Sequence, residues 1–309
     1  MFRMTIKSWA MVFLLFGLSS AMSGEPPEEV EIPDPRTFLV IPRDTTEAEF
    51  LERLAGRTDW RTIAIQAQPA DAWMDELARC PDLEILTIQD RQLTRLTSKG
   101  IGKLAACPRL RQLKVAPMGS YRLDDETLVA LGRGCPELES LHVGLQGHGI
   151  LTDDAVVKFA LRCPKLKHLQ LSVAPSLSDA ALITIGKNLP LLETLILNGS
   201  ASATDDGLAA LANCRKLKSL TVGVKPETGD PGLRALLRNA PPLESLVLEG
   251  SRLFTDEGLA FIAATCPDLK FLVVDTAADF ITDRGIVALA PLRKLEILGR
   301  VVTRPSTSQ

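Results

Sequence analysis

Six cysteines have the widest chemical scope in this chain, since a thiolate can act as a nucleophile, a metal ligand or a disulfide partner. No C-x-x-C pair and no Cys/His cluster occurs, so the spacing argues against a zinc site. Each cysteine opens a recurring segment such as CPDLEILTI, and the six are Cys80, Cys107, Cys135, Cys163, Cys214 and Cys266. Other copies of the segment place Leu189, Ala240 or Leu292 there. The position therefore accepts small or medium apolar groups, and we predict buried thiols that remain reduced.

Three histidines, His142, His148 and His168, are candidates for a metal site or a pH-sensitive site. His142 and His168 fall at outward positions of neighbouring predicted strands, two places out of register, which would make them diagonal neighbours. His148 falls in the loop that follows His142. No third fixed ligand is evident, and polar surface residues are the simpler interpretation. We therefore expect neither a metal nor a cofactor.

Acidic residues follow a threonine at four predicted helix starts, Thr152, Thr204, Thr255 and Thr282. Paired carboxylates suit acid–base or metal chemistry, but a feature present in nearly every copy of a repeat is better explained by helix capping. Threonine is a preferred N-cap, and acidic side chains complement the positive end of the helix dipole. G-x-S-x-G, a glycine-rich phosphate loop and H-E-x-x-H are all missing from the sequence. We predict no catalytic residue; an enzyme using the longer loops at Ala116–Leu123 and Gly144–Leu151 is the weakest alternative.

The elements that carry these residues repeat along the chain. Eight full copies of the segment and a partial ninth begin 25 to 28 residues apart, the first at Cys80 and the last at Leu292. A constant period of this length is typical of a solenoid. In each copy an L-x-x-L-x-L stretch predicts a strand, and a polar pair followed by apolar residues at helical spacing predicts a helix. We expect parallel strands on the concave side, helices on the convex side and two inner leucine ladders, Leu83 to Leu295 and Leu86 to Leu298.

The pattern C-P-x-L-x-x-L-x-L…T-D-x-G-L-x-x-L-A resembles the cysteine-containing subclass of leucine-rich repeats. That subclass is familiar from the substrate-binding arms of F-box ubiquitin-ligase adaptors, and similar arrays occur in exported bacterial proteins. The resemblance extends from Cys80 to about Leu298. It implies an α/β horseshoe that binds a partner through its concave face or rim. No F-box is visible before Cys80.

The N-terminus predicts export. Residues 1–23 combine a basic start, an apolar run from Trp9 and small residues at a cleavage point, as in a signal peptide. We interpret residues 24–35 as an acidic proline-rich linker, 36–79 as degenerate repeats that cap the solenoid, 80–300 as leucine-rich repeats and 301–309 as a tail.

The signal segment holds two of the 35 basic residues and the linker five of the 38 acidic ones, so 33 of each remain from Arg36 onward. Such a balance does not favour a nucleic-acid partner.

The outward positions of the strands define the candidate binding surface. Its predicted contact residues are Gln112, Lys114, His142, His168, Gln170, Thr194, Thr221, Val247, Phe271 and Val273. The middle of this surface is polar and its C-terminal part is apolar, which indicates either a contact surface or cover by the tail. We predict an exported, non-enzymatic monomer, without an integral membrane segment once mature, that binds a protein, peptide or glycan. A substrate-recognition adaptor in a ubiquitin-ligase-like pathway is the alternative.

Overall fold

Strands and helices alternate along the chain. The computed structural model describes residues 34, 36–54, 56–89, 95–115, 123–143, 151–172, 177–199, 202–274 and 280–299. The strands in these ranges are β1 (Phe38–Ile41), β2 (Thr62–Ile65), β3 (Ile85–Ile88), β4 (Gln112–Val115), β5 (Ser140–Val143), β6 (His168–Ser172), β7 (Thr194–Asn198), β8 (Ser219–Gly223), β9 (Ser245–Glu249), β10 (Phe271–Val274) and β11 (Ile297–Gly299). The helices are α1 (Glu47–Leu54), α2 (Asp71–Leu77), α3 (Ser98–Gly102), α4 (Asp125–Gly134), α5 (Asp153–Ala160), α6 (Asp179–Asn188), α7 (Asp205–Leu211), α8 (Asp230–Leu237), α9 (Asp256–Thr265) and α10 (Asp283–Ala288). The predicted signal peptide, nearly all of the linker and the tail lie outside the described residues.

All of these strands form one parallel sheet whose spatial order follows the sequence from β1 to β11. Neighbouring strands are in register, so that Leu86, Leu113 and Leu141 are aligned partners. The ladder that these leucines begin is fully buried as far as Leu272. Its last member, Leu298, is 39% exposed because β11 is an edge strand. The predicted α/β solenoid with an inner leucine core is therefore confirmed, and its core is open at the β11 end of the described chain.

Within the described ranges, no helix has the length and apolar character needed to cross a membrane.

The predicted threonine caps are present. Thr204, Thr255 and Thr282 each accept a hydrogen bond from the N–H two residues later, which satisfies a donor in the first turn. Thr152 also occupies an N-cap position, but its side chain makes no capping bond. Its hydroxyl instead donates to Asp125 of the preceding repeat, 2.6 Å away.

The first aspartate of a helix bonds to the N-cap of the next repeat, a contact that the sequence interpretation missed. Asp179 accepts from the backbone N–H of Thr204 at 2.8 Å and from its hydroxyl at 2.6 Å. The same pair of bonds joins Asp71 to Thr97, Asp125 to Thr152, Asp153 to Ser178, Asp230 to Thr255 and Asp256 to Thr282. These carboxylates therefore tie each repeat to the next in addition to complementing a helix dipole.

Glycine at the third helical position leaves room for this aspartate. A Cβ atom on Gly207 would lie 2.2 Å from Asp179 Oδ1, far inside van der Waals contact. Ala155 holds the corresponding position in α5, where Asp125 still bonds to Thr152. The spacing there accommodates a methyl group, so glycine gives the closest approach but is not obligatory.

The cysteine thiols are buried, as predicted, and all six are free. Cys135 Sγ lies 3.3 Å from the carbonyl oxygen of Leu104, and Cys107 Sγ lies 3.5 Å from that of Leu77. Each of these two thiols thus donates to a backbone carbonyl in the helical part of the preceding repeat. Burial raises the pKa of Cys135 to about 12, so its thiol is protonated near neutral pH and is a poor nucleophile.

Residues 36–79 form two strand–helix units that extend the same sheet. A capping box opens α1: Thr46 N–H donates to the Glu49 carboxylate at 2.8 Å, and Glu49 N–H donates back to Thr46 Oγ1 at 3.3 Å. Phe50 and Trp73 stack with ring centroids 4.0 Å apart. Two large stacked rings thus belong to the core at this end of the sheet, and Phe159 and Phe254 are further buried aromatic side chains along it.

Candidate functional site

The predicted contact residues lie on the surface of the sheet opposite the helices, here called the sheet face. One row aligns Gln112, Ser140, His168, Thr194, Ser219, Ser245, Phe271 and Ile297. The second row aligns Lys114, His142, Gln170, Ile196, Thr221, Val247 and Val273. Both rows follow the predicted alternation. Thr62, Ala64 and Thr87 continue the rows toward β1 but are buried, so the accessible part of the sheet face lies mainly from β4 onward.

Exposure differs among the ten predicted contact residues. Gln112 and His168 are exposed, and the other eight are half-buried between their neighbours. Half-buried side chains are restricted by their neighbours, so ordering them in a contact would cost less conformational entropy than ordering exposed ones.

His142 is a neutral ring in this structure. Burial, with a smaller contribution from the charge of nearby Lys114, lowers the pKa of His142 to about 4. Its Nε2 is buried and has no hydrogen-bond partner among the described residues. Burial of the ring disfavours its charged form, so His142 is uncharged at neutral pH.

His168 lies diagonally from His142, as predicted, because its aligned partner on β5 is Ser140. Its Nδ1 is 3.2 Å from Thr194 Oγ1 on the next strand. Although the His168 side chain is solvent-accessible, the surrounding residues partly desolvate its ring and lower the pKa of His168, and the opposing effect of Glu193 does not restore it. The two histidines therefore form a neutral, polar pair in the middle of the sheet face.

The sheet face becomes apolar toward β10, as predicted. Val247 and Val273 are aligned neighbours, and Phe271 lies beside them on β10. Ile297, the next member of the Phe271 row, is 41% exposed. The sheet face is thus a polar strip that ends in an apolar patch.

A row of alternating charges borders the sheet face, and the sequence interpretation did not identify it. The row occupies the position before each strand from β2 to β11 and contains Arg61, Glu84, Arg111, Glu139, Lys167, Glu193, Lys218, Glu244, Lys270 and Glu296. Glu139 receives hydrogen bonds from Arg111 Nε at 2.7 Å and from Lys167 Nζ at 2.8 Å. Partial burial acts to raise the pKa of Glu139, but the bonds from Lys167 and Arg111 outweigh it and hold the pKa below its ordinary value. The row links neighbouring repeats and leaves this edge close to electrically neutral.

The last candidates for chemistry are a metal site, His148 and the two longer loops. Across the ranges that the structure covers, no group of three or more His, Cys, Asp or Glu side chains is arranged to hold a metal ion. His148 and most of the loops Ala116–Leu123 and Gly144–Leu151 lie outside the described residues. The hypotheses that rest on these segments stay predictions.

Comparisons with known proteins give the class of fold. No protein-family model matches the chain, and no curated protein does either. The chain is similar to a structure of the yeast Rad7–Elc1 complex, with a TM-score of 0.58, 17% identity, and coverage of 85% of this chain and 69% of that one. It is also similar to a leucine-rich-repeat protein of Leptospira interrogans (TM-score 0.49, 16% identity, 82% and 63% coverage). An internalin of Listeria monocytogenes gives a TM-score of 0.42, 16% identity, and 83% and 63% coverage.

At these identities the likeness concerns the fold alone, and only the first TM-score exceeds 0.5. Together with eleven parallel strands in register among the described residues, it gives this chain the fold of a leucine-rich-repeat solenoid. The chain spans 63% of the length of the Leptospira and Listeria proteins.

Proposed function

We propose that this protein is an exported, non-enzymatic scaffold whose sheet face binds a protein, peptide or glycan. One observation carries the proposal: the side chains that differ from repeat to repeat collect on this face. His168 and Gln170 give it a polar middle, whereas Phe271 and Val273 give it an apolar end. The cysteines, aspartates and leucines that recur in the repeats are instead engaged in packing and in contacts between repeats.

The dimensions of the sheet face favour an extended partner. At about 4.8 Å per strand, the surface from β4 to β10 is roughly 30 Å long. Neutral histidine rings, amides and hydroxyls can donate and accept hydrogen bonds there, and Lys114 is the one basic amine among the predicted contact residues. Phe271 supplies an aromatic anchor of the kind that carries much of the binding energy in interfaces.

The proposal of export rests on the sequence. The signal-like pattern in residues 1–23 supports export, and the equal numbers of acids and bases from Arg36 onward support a partner other than nucleic acid. We propose a monomer, because one solenoid presents the whole sheet face by itself.

Affinity capture tests this proposal. Purified protein is incubated with envelope and culture-medium fractions of the native organism, and retained molecules are identified by mass spectrometry. The variant His168→Ala/Phe271→Ala is used in parallel. A partner retained by the wild type and lost by the folded variant supports the proposal. Retention of the same molecules by both proteins contradicts it.

The alternative is a substrate-recognition adaptor in a ubiquitin-ligase-like pathway. Two observations favour it: the cysteine-containing repeat pattern and the similarity to a structure of the Rad7–Elc1 complex. Such an adaptor must remain in the cytoplasm. Mass spectrometry that finds the native protein cut near residues 21–24 would remove this alternative.

A further inference from the structure

A cleft lies at the carboxyl ends of β1, β2 and β3, at the edge of the sheet rather than on the sheet face. Its volume is about 490 Å³, within the range of small-molecule sites. The segments that follow the three strands line it, and they contribute Arg43, Asp44, Gln66 and Gln68. Ligands of parallel α/β proteins commonly bind at this edge of a sheet.

Charges in the cleft are partly paired. Arg95 Nη2 lies 3.1 Å from Glu47 Oε2, so these two residues neutralise each other. Arg43 and Asp44 are exposed, and within the described residues neither makes an ion pair. The cleft therefore offers one guanidinium and one carboxylate to a ligand, with amide groups beside them.

The wall of the cleft contains a buried aromatic pair. The Trp73 indole lines the cleft and is 1% exposed, with one face stacked on Phe50. Its Nε1 is buried and has no hydrogen-bond partner among the described residues. A buried donor without an acceptor is destabilising, and unpaired groups of this kind in native proteins call for an explanation.

We propose that the cleft binds a small zwitterion, either a free α-amino acid or a short peptide with charged termini. Arg43 takes the carboxylate and Asp44 the ammonium group, because charge-assisted hydrogen bonds are the strongest that these side chains make. Gln66 and Gln68 pair with amide groups of the ligand. The Trp73 indole, as part of the cleft wall, reports on a bound ligand through its NMR signal. This site is separate from the sheet face and does not rest on the function proposed for it.

NMR of the tryptophan indole groups tests the proposal. The chain has three tryptophans, so Trp73→Phe assigns the Trp73 indole signal by its loss. Glycine and triglycine are titrated into the purified ¹⁵N-labelled protein. We expect a saturable shift of the Trp73 signal; a response to glycine indicates an amino-acid site, and a response to triglycine alone indicates a peptide site. N-acetyl-triglycine amide, which lacks both charges, should have little effect.

Variants at exposed positions provide the controls. Arg43→Gln should weaken triglycine or glycine binding about tenfold, in line with the loss of one charge-assisted bond. Arg215→Gln removes an exposed arginine elsewhere and should leave binding unchanged. The proposal is overturned if neither ligand shifts the Trp73 signal, or if the Arg43→Gln protein responds like the wild type.

Discussion

Asp179 and Thr204 belong to neighbouring repeats and are joined by two hydrogen bonds, with the carboxylate accepting from both the backbone N–H and the hydroxyl of Thr204. The carboxylate thus fixes the start of α7 relative to α6. Because the same contact recurs along the stack, it acts as a connection between repeats that is separate from the leucine core.

Removal of this connection should lower stability. Asp179→Ala leaves the Thr204 donors without their acceptor, and we expect the free energy of unfolding to fall by about 1–3 kcal/mol. Chemical denaturation monitored by circular dichroism measures the change. Asp206→Ala, at an exposed position of the next helix, is the control and should change stability by less than about 0.5 kcal/mol. Equal losses in the free energy of unfolding for the two variants would show that the contact between repeats does not stabilise the protein more than an exposed aspartate does.

The row of alternating charges that borders the sheet face should make the stability of the protein sensitive to acid. The pKa of Glu139 is lowered in the folded state, so its ionised form stabilises the protein at neutral pH. That contribution is lost as the pH falls below the ordinary carboxyl value of 4.5 and through the lower pKa of the folded state. Glu139→Gln should cost about 1 kcal/mol at pH 7 and much less at pH 3. Urea unfolding at both pH values measures this, with Glu227→Gln, an exposed loop residue, as the control. A loss that is independent of pH would contradict the ionic explanation.

His142 should contribute a second, distinct pH dependence. Its pKa in the folded state is about 4, whereas the ordinary value is 6.5. The unfolded chain therefore takes up a proton first, and stability should decline as the pH falls from 6.5 to about 4. His142→Gln should remove this component while the response of Glu139 below pH 4.5 remains. A histidine NMR titration provides the direct check, and a His142 midpoint close to 6.5 would show that the ring is solvated.

The cysteines should be unreactive in the native protein. Burial raises the pKa of Cys107, Cys135, Cys163, Cys214 and Cys266 to about 12 and that of Cys80 to about 11. A thiol reagent should therefore label none of them quickly at pH 7, and all six after unfolding. Fast labelling of the folded protein, or a Cys107–Cys135 bridge in non-reducing mass spectrometry, would contradict this expectation.

Repetition explains why much of the fold could be predicted from the sequence. The leucine ladders, the buried cysteine position and the two rows of the sheet face all follow from a period that is visible in the chain. The alignment of Ser140 with His168 is one example, since a repeated strand motif sets the register. Threonine caps were predictable for the same reason, with Thr152 as the position where the capping bond is missing.

Contacts between repeats were harder to predict, because they require two copies to be considered together. Asp179 accepts hydrogen bonds from Thr204 of the next repeat, and Gly207, which has no Cβ atom, leaves room for the Asp179 carboxylate. The row of alternating charges has a signal in the sequence, because the sign of the charge alternates at one repeat position. This alternation becomes apparent only when all copies of the repeat are compared. The burial of His142 depends on how its neighbours pack, which strand alternation alone does not give.

Binding through the sheet face is the central claim, and one measurement tests it most directly. The affinity of the captured partner is compared by surface plasmon resonance for the wild type, for His168→Ala/Phe271→Ala, and for Leu161→Ala on the helical side, where Leu161 is 56% exposed. We predict that the double variant binds about tenfold more weakly or worse, with an unchanged melting temperature, and that Leu161→Ala binds like the wild type. Equal affinity of the double variant and the wild type would contradict the claim, as would a loss of binding that accompanies a loss of folding.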